Sequence, residues 1–449
     1  MSQRSQHRAY LRPASAAAGV LALVLAGCVG GGAPSSPAAD DGPTPGEDAR
    51  LSVISQLGDN PALQGVLQRL NEAYMEANPG VTVDIEYLTL EDLTKTLPTT
   101  LASGAGPDVF DYDANESSLG ELARSELVLP LDPYADEYGW TESLAVSAAS
   151  RTTYDDALFG VPRSSEAVGL FYNADAFTRL RIGAPTSYDA FIAAAERLQE
   201  EGLTPIAFGN KDQWPSGHLV GAALHSMTAL STIESFETLS GSGSWTDPSV
   251  LESFDEAARW AAEGYITPDF NGVSFDDALK SFYAGQAGMF VEGTGVTPDI
   301  IENMADTSVE FVSFPMRDED LEQQAQGGVG GAWAISASSA APAIAADWLD
   351  FVHFSDEAER AWLQAGVLPT TDYDGAGVDV PALVADNLSV VSAAQEGGGI
   401  GYWTGYSTSP LVTDAWNSGG QLLLAGDAAP DEVAASLDEA LEQARSNDP

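Results

Sequence analysis

Apolar residues fall into two alternating periodicities from Leu51 onward. Leu51 to Leu57 reads as a strand. Gly58-Asp59-Asn60-Pro61 then turns the chain into a helix whose stripe is Leu63, Val66, Leu67, Leu70 and Tyr74, the three- and four-residue spacing of one helical face. Asn78-Pro79-Gly80 stops that helix before the strand Val81 to Tyr87. A helix over Leu90 to Leu101 leads through Gly104 and Gly106 to a third strand, Asp108-Val109-Phe110, which runs into Asp111, Tyr112 and Asp113. Strand, helix, strand, helix, strand at these spacings predicts βαβ units around a parallel sheet, so the fold class is α/β. The strand ends at Asp59-Asn60 and Asp111-Asp113 then deliver polar groups to one side of that sheet.

The same reading continues downstream. Tyr154-Asp155-Asp156-Ala157-Leu158 has the form of a hairpin turn, and Val168 to Asn173 is an apolar strand followed by a helix that Asp175 begins. Helices are predicted over Ser187 to Glu201, Leu219 to Leu230, Ser249 to Glu263 and Phe275 to Ala284, and strands at Met289 to Val291 and Val309 to Phe314. A glycine-rich run, Gly327-Gly328-Val329-Gly330-Gly331, precedes Ala332 to Ile335. From Pro342 the pattern is helical almost to the end, broken by Gly397-Gly398-Gly399-Ile400-Gly401-Tyr402-Trp403. No internal repeat is present. Trp260, Trp348 and Trp362 sit on helical stripes and are expected in the core.

One loop concentrates chemistry. Ile206-Ala207-Phe208 is a short strand that stops at Gly209; Asn210, Lys211, Asp212 and Gln213 follow, then Trp214, with Pro215 placed to open a helix. At the carboxyl end of a strand in an α/β protein such a loop faces the ligand crevice. An indole beside planar polar side chains suits a sugar, which presents an apolar ring face and a rim of hydroxyls.

Composition narrows the classes. At 449 residues the chain exceeds one core, so two domains are expected. The charge is extreme: 67 acidic against 18 basic residues, a formal net charge of -49. Such a surface repels phosphate backbones and anionic lipids, so nucleic acid is not an expected partner. The single cysteine, Cys28, makes an intramolecular disulfide impossible.

The amino terminus reads as an address. Arg4, His7, Arg8 and Arg12 precede the apolar run Ala14 to Val24, which is too short to span a bilayer, and Leu25-Ala26-Gly27-Cys28 follows. This order resembles a bacterial lipoprotein signal. The resemblance implies cleavage after residue 27 and a lipid anchor on Cys28, which would hold the protein at the extracellular face of the cytoplasmic membrane. Residues 28 to 50 are rich in Gly, Pro, Ser, Ala and Asp and read as a flexible tether.

Several further segments recur in one order: Asn78-Pro79-Gly80-Val81, Pro107-Asp108-Val109, Gly160-Val161-Pro162, Leu170-Phe171-Tyr172-Asn173, Thr204-Pro205-Ile206, Gly285-Gln286-Ala287-Gly288-Met289-Phe290, Gly330-Gly331-Ala332-Trp333-Ala334-Ile335 and Ala425-Gly426. Over nearly all of residues 51 to 446 this series resembles the extracellular solute-binding proteins of ABC importers, in particular family 1, which contains maltose- and oligosaccharide-binding proteins. The resemblance implies a two-lobe, periplasmic-binding-protein-like fold with a ligand cleft between lobes joined by several crossovers. Carried over, one lobe is expected from 51 to 161 plus 295 to 335 and the other from 165 to 292 plus 340 to 449. It implies a monomer that closes on a small saccharide and hands it to the importer's transmembrane subunits, with no cofactor and no metal. Matching positions nominate as ligand-binding residues Asp59, Asn60, Asp111, Asp113, Arg163, Asn210, Lys211, Asp212, Trp214, Glu292, Thr294, Tyr402 and Trp403. Many family members place a Trp after the equivalent of Glu292-Gly293, whereas Thr294-Gly295-Val296 stands here. That departure favours a mono- to trisaccharide over a long maltodextrin.

Other readings are open to the same residues. Asp111 and Glu292 could serve a glycoside hydrolase as paired carboxylates if they faced each other across a scissile bond. No Gly-x-Ser-x-Gly elbow or His-Glu-x-x-His motif is present. A binding protein for a polyamine, a peptide or a glycerol phosphate would keep the fold and change the ligand. His218 and His225 share a helical face without a third ligand at metal spacing and are expected to be structural.

Overall fold

The computed structural model describes residues 42–447, apart from Asp59, Asp372, Asp374 and Ala376. The signal segment, Cys28 and most of the tether lie outside the described residues. Among the described residues, no helix is long and apolar enough to cross a membrane.

The first lobe is built on a five-stranded sheet. Ala49–Ser55 lies parallel to both Val81–Tyr87 and Val109–Tyr112; Ala332–Ile335 pairs antiparallel with Val109–Tyr112 and, on its other side, with Val161–Pro162. The predicted helix runs Pro61–Ala77 and starts where the Asn60 side chain accepts the Leu63 N–H at 3.0 Å, with Pro61 in the first turn. Its stripe Leu63, Val66, Leu67, Leu70 and Tyr74 is buried, as the spacing requires. Trp348 stands in the same core, its indole N–H spent on the Asn71 side chain at 3.0 Å, so a large apolar body is buried without stranding its polar atom. The Tyr154–Leu158 turn forms as read: Thr153–Tyr154 pairs with Ala157–Leu158, and Asp155 and Asp156 take φ of 49° and 64°, the left-handed pair of a two-residue hairpin.

The second lobe centres on Ser165–Asn173, antiparallel to Val309–Ser313 on one side and to Ala287–Gly293 on the other; Thr204–Ala207 extends the sheet. Its central strands are buried over nearly their whole length, which is why they read as unbroken apolar runs rather than alternations. The helix Pro215–Met227 opens at Pro215 as read, ends three residues before Leu230, and is buried on almost every side, as befits a helix through a lobe's centre. Trp245, Trp260 and Trp416 fill the space around it.

Three segments pass between the lobes and lace together. The Ser165 N–H donates to the Leu368 carbonyl at 3.1 Å and its hydroxyl to the Pro369 carbonyl at 2.8 Å. The Gly330 N–H donates to the Ser164 carbonyl at 3.0 Å, and the Arg163 N–H to the Gly331 carbonyl at 2.8 Å.

Strand pairing divides the chain differently from the expected boundaries. Val309–Ser313, expected in the first lobe with 295 to 335, forms the edge of the second lobe's sheet. Pro342–Leu349, expected in the second with 340 to 449, buries Ile344, Trp348 and Leu349 against Leu51 and Val66 of the first. An apolar strand carries no mark of which sheet it joins; that is set by register with Ser165–Asn173. Trp260 and Trp348 are fully buried and Trp362 nearly so, at 0%, 0% and 8% exposure, as their stripes predict.

A formal charge of -49 makes like-charge repulsion the main destabilising surface term, and salt screens it. Raising NaCl from about 0.05 to about 1 M should raise the melting temperature by several degrees in a thermal scan, where screening of Debye length from roughly 14 to 3 Å removes most long-range repulsion. A melting temperature that stays flat or falls with salt would contradict this.

Candidate functional site

Where the crossing segments meet, one guanidinium pairs with Asp111 and stands near two further carboxylates, Asp113 and Glu166. Asp111, at the carboxyl side of its strand, is fully buried; the Gln56 amide donates to its Oδ1 at 2.9 Å, and Arg163 Nε stands 3.4 Å from the same oxygen. Arg163 also donates a short hydrogen bond to the Gly330 carbonyl. Burial pushes the Asp111 carboxyl above its usual range, against the pull of Arg163, Gln56 and Ser55. Asp113 is raised to about 6, by burial first and then by the Asp111 and Glu166 charges, with Arg163 opposing. Burial likewise raises Glu166, which accepts the Ser164 hydroxyl at 3.0 Å.

The glycine run makes this crowding possible. A Cβ on Gly330 would fall 1.7 Å from Glu166 Oε1, and one on Gly331, whose φ is +128°, 2.3 Å from Gln56 Nε2. The crossing strand therefore lies directly on polar side chains of both lobes.

Beside the carboxylates runs a row of rings. Trp214 packs on Phe275 with centroids 4.6 Å apart and meets the edge of His218 at 5.1 Å; His218 stacks on Trp403 at 4.9 Å with planes 26° apart. His218 is also bound through Nδ1 to Glu292, and Trp403 donates its indole N–H to the Val329 carbonyl at 3.3 Å. Trp214 and His218 are four residues apart at the start of one helix, so they share a face. Trp403 passes close to the strand end at Gly293, where a Cβ would lie 3.6 Å from its ring.

Trp403 and Tyr402 form part of the wall of a cavity of about 680 Å³ between the lobes. Asn115, Arg151 and Tyr154 line it from the first lobe, Glu234 and Glu237 from the second, with Gly327, Gly328 and Val329 between. Glu237 is buried; its Oε1 accepts the Gly405 N–H at 2.9 Å while Oε2 has no partner, and burial raises its carboxyl to about 8. A smaller cavity of about 120 Å³ lies behind the crossing, lined by Asn60, Arg163, Glu166 and Thr294 among others.

The nominated residues separate into two groups. Asp111, Asp113, Arg163 and Glu292 converge on the crossing, and Trp214, Tyr402 and Trp403 lie beside or on the larger cavity. Asn60, Asn210, Asp212 and Thr294 are occupied by main-chain N–H groups: Asn60 caps its helix; Asn210, fully buried, accepts the Ser216 N–H at 3.0 Å; Asp212 accepts the Phe275 N–H at 2.7 Å; and the Thr294 hydroxyl accepts the Ala167 N–H at 3.3 Å. Lys211 is exposed on the loop. Asp59 lies outside the described residues. Sequence reasoning missed Gln56, Arg151, Glu166, His218, Glu234 and Glu237. The spacing of His218 from Trp214 and the scarcity of basic residues around Arg151 were the available signals; the glutamates carried none in so acidic a chain.

Comparison with known proteins places these features in context. The sequence model of the family described as bacterial extracellular solute-binding protein matches residues 58–359. An ABC transporter extracellular-binding protein of Pyrococcus horikoshii is 23% identical over 352 residues, 74% of this chain and 74% of that one. A xylose/arabinose-binding protein of Haloferax volcanii is 26% identical over 257 residues, 56% of this chain and 54% of its own length. Among solved structures, a chitin oligosaccharide binding protein superposes with a TM-score of 0.77 at 20% identity, covering 88% of this chain and 99% of that one.

The raised carboxyl of Asp113 fixes the sign of a pH effect. The folded state holds this proton from about 6 downward and the unfolded chain only near the ordinary 3.8, so the group's contribution is present at low pH and is lost as pH rises through about 6. Asp113→Asn should therefore gain stability over the parent between pH 4 and pH 7, by about 1 kcal/mol once partial exposure is discounted. Chemical denaturation at both pH values measures it, and an unchanged difference would refute the assignment.

Proposed function

The chain belongs to the bacterial extracellular solute-binding protein family, and from that premise we propose that it captures a small neutral saccharide of one to three units by lobe closure and delivers it to the transmembrane subunits of an ABC importer. The observation that carries the reading is Trp403: its indole is pinned by the Val329 carbonyl and backed by His218 at the wall of a cavity of about 680 Å³. A fixed aromatic face excludes water from the apolar face of a sugar ring, and the amide, hydroxyl and carboxyl groups around it match hydroxyls. The volume falls within the roughly 300–1,000 Å³ of small-molecule sites. A ligand touching both lobes stabilises the closed arrangement, and that change of shape is what a permease can read. The sugar ligands named for relatives, chitin oligosaccharide and xylose or arabinose, support the same class.

In this reading the protein acts as a monomer, held outside the cell by a lipid on Cys28 and the tether that follows, and it releases its solute unaltered. The acidic wall residues Glu234 and Glu237 favour a polyamine as the second reading.

Thermal shift of the full chain against mono-, di- and trisaccharides, a polyamine, a peptide and glycerol phosphate separates these. A saccharide at 100 times its Kd should add about 2.7 kcal/mol of stability, and Trp403→Ala should abolish that gain. Stabilisation by the polyamine alone would overturn the sugar reading, and turnover of an oligosaccharide would replace binding with hydrolysis. For the anchor, labelled palmitate should enter the wild-type chain in bacteria and not Cys28→Ser; equal labelling would refute lipidation at that position.

A further inference from the structure

Arg151 leaves the first lobe just after the short helix Val146–Ala149 and reaches across to the second. Its guanidinium carbon lies 3.9 Å from the centroid of the Tyr402 ring, and its Nη2 donates to the Gly401 carbonyl at 2.8 Å. Its own carbonyl accepts the Tyr154 hydroxyl at 3.0 Å, which fastens the base of the side chain to first-lobe structure. On the far side the Tyr402 hydroxyl donates to Glu234 at 3.2 Å, which fixes the ring in the second lobe. Gly328 of the crossing strand passes between: a Cβ there would stand 3.4 Å from Trp403 Nε1 and 4.0 Å from Arg151 Nε. Arg151, Tyr402 and Trp403 all line the cavity of about 680 Å³.

We infer that Arg151 is a cross-lobe positioning residue: with its charge on the Tyr402 ring face and its N–H on the Gly401 carbonyl, it clamps the two lobes together at the cavity rim whether or not a guest is present. Both bonds join parts of the molecule that must separate for the cavity to open. A guanidinium on a tyrosine face, partly out of water, is attracted more strongly than the same pair in bulk solvent, and Arg adds a directed hydrogen bond that a ring contact alone lacks. The ring face of Tyr402 is occupied by this cation, so Tyr402 serves closure and Trp403 is left as the aromatic face for the ligand. Because the clamp acts in the empty and the filled protein alike, it sets the population of closed molecules and the rate of release more than the choice of sugar.

This inference rests on the cavity being the ligand site only for its kinetic arm; its conformational arm needs no ligand. Small-angle scattering of the full chain without sugar should give a larger radius of gyration for Arg151→Ala and Tyr402→Leu than for wild type. Tyr402→Phe, which keeps the ring face and drops the hydroxyl, should stay compact, and Arg151→Lys should fall between. Release of galactose, raffinose or a chitin trisaccharide, followed by stopped flow, should be roughly ten-fold faster in Arg151→Ala, the loss of one partly desolvated cation–π contact. Ligand-free profiles of Arg151→Ala and Tyr402→Leu that superimpose on wild type would overturn the clamp. If none of the three sugars binds wild type, the saccharide reading fails, and the scattering still decides the clamp.

Discussion

The architecture depends on a strand that has almost no side chains. Between Gly327 and Gly331 the chain passes through the contact of the two lobes, where a methyl group on Gly330 would overlap the Glu166 carboxylate and one on Gly331 the Gln56 amide. Only bare backbone fits, and its carbonyls become binding groups: that of Gly330 accepts from Arg163 and that of Val329 from Trp403. The same segment thus joins the lobes, orders the carboxylates on one side and holds the indole on the other. Any added bulk here would act on all three at once.

Charge at the crossing is arranged against the average of the molecule. The surface is acidic almost everywhere, yet the guanidinium of Arg163 stands where Asp111, Asp113 and Glu166 converge. Burying carboxylates costs far more than one cation returns, which is why all three are displaced toward their protonated forms despite it. Arg163 with its backbone partner makes the arrangement specific in geometry more than it makes it stable.

How much of this was legible in the sequence follows from what each signal encodes. The helix Pro61–Ala77 and the strand Val81–Tyr87 could be read because periodicity, a capping Asn and a terminal Pro-Gly all agreed on them. The lobe of Val309–Ser313 could not, because membership of a sheet is a long-range register and leaves no local trace. In the site, Arg163 and Trp403 were legible from their positions in the ordered series of segments, Trp403 just after the run Gly397-Gly398-Gly399-Ile400-Gly401. Asn210 and Asp212 looked like ligand groups, yet Asn210 binds the start of the helix that follows it and Asp212 the start of the helix Phe275–Tyr283, since helix starts compete for the same short polar side chains. Glu237 was invisible as one acid among 67, and only its burial distinguishes it.

Neither lobe is a continuous stretch of chain. The sheet of the first lacks its inner strand until Ala332–Ile335 arrives, more than two hundred residues after Val109–Tyr112 that it must join. Contacts so distant in sequence close late and slowly. A chain synthesised from its amino end therefore carries an unfinished first-lobe sheet until residue 335 has emerged, while Ser165–Asn173, Thr204–Ala207 and Ala287–Gly293 of the second are already available to pair.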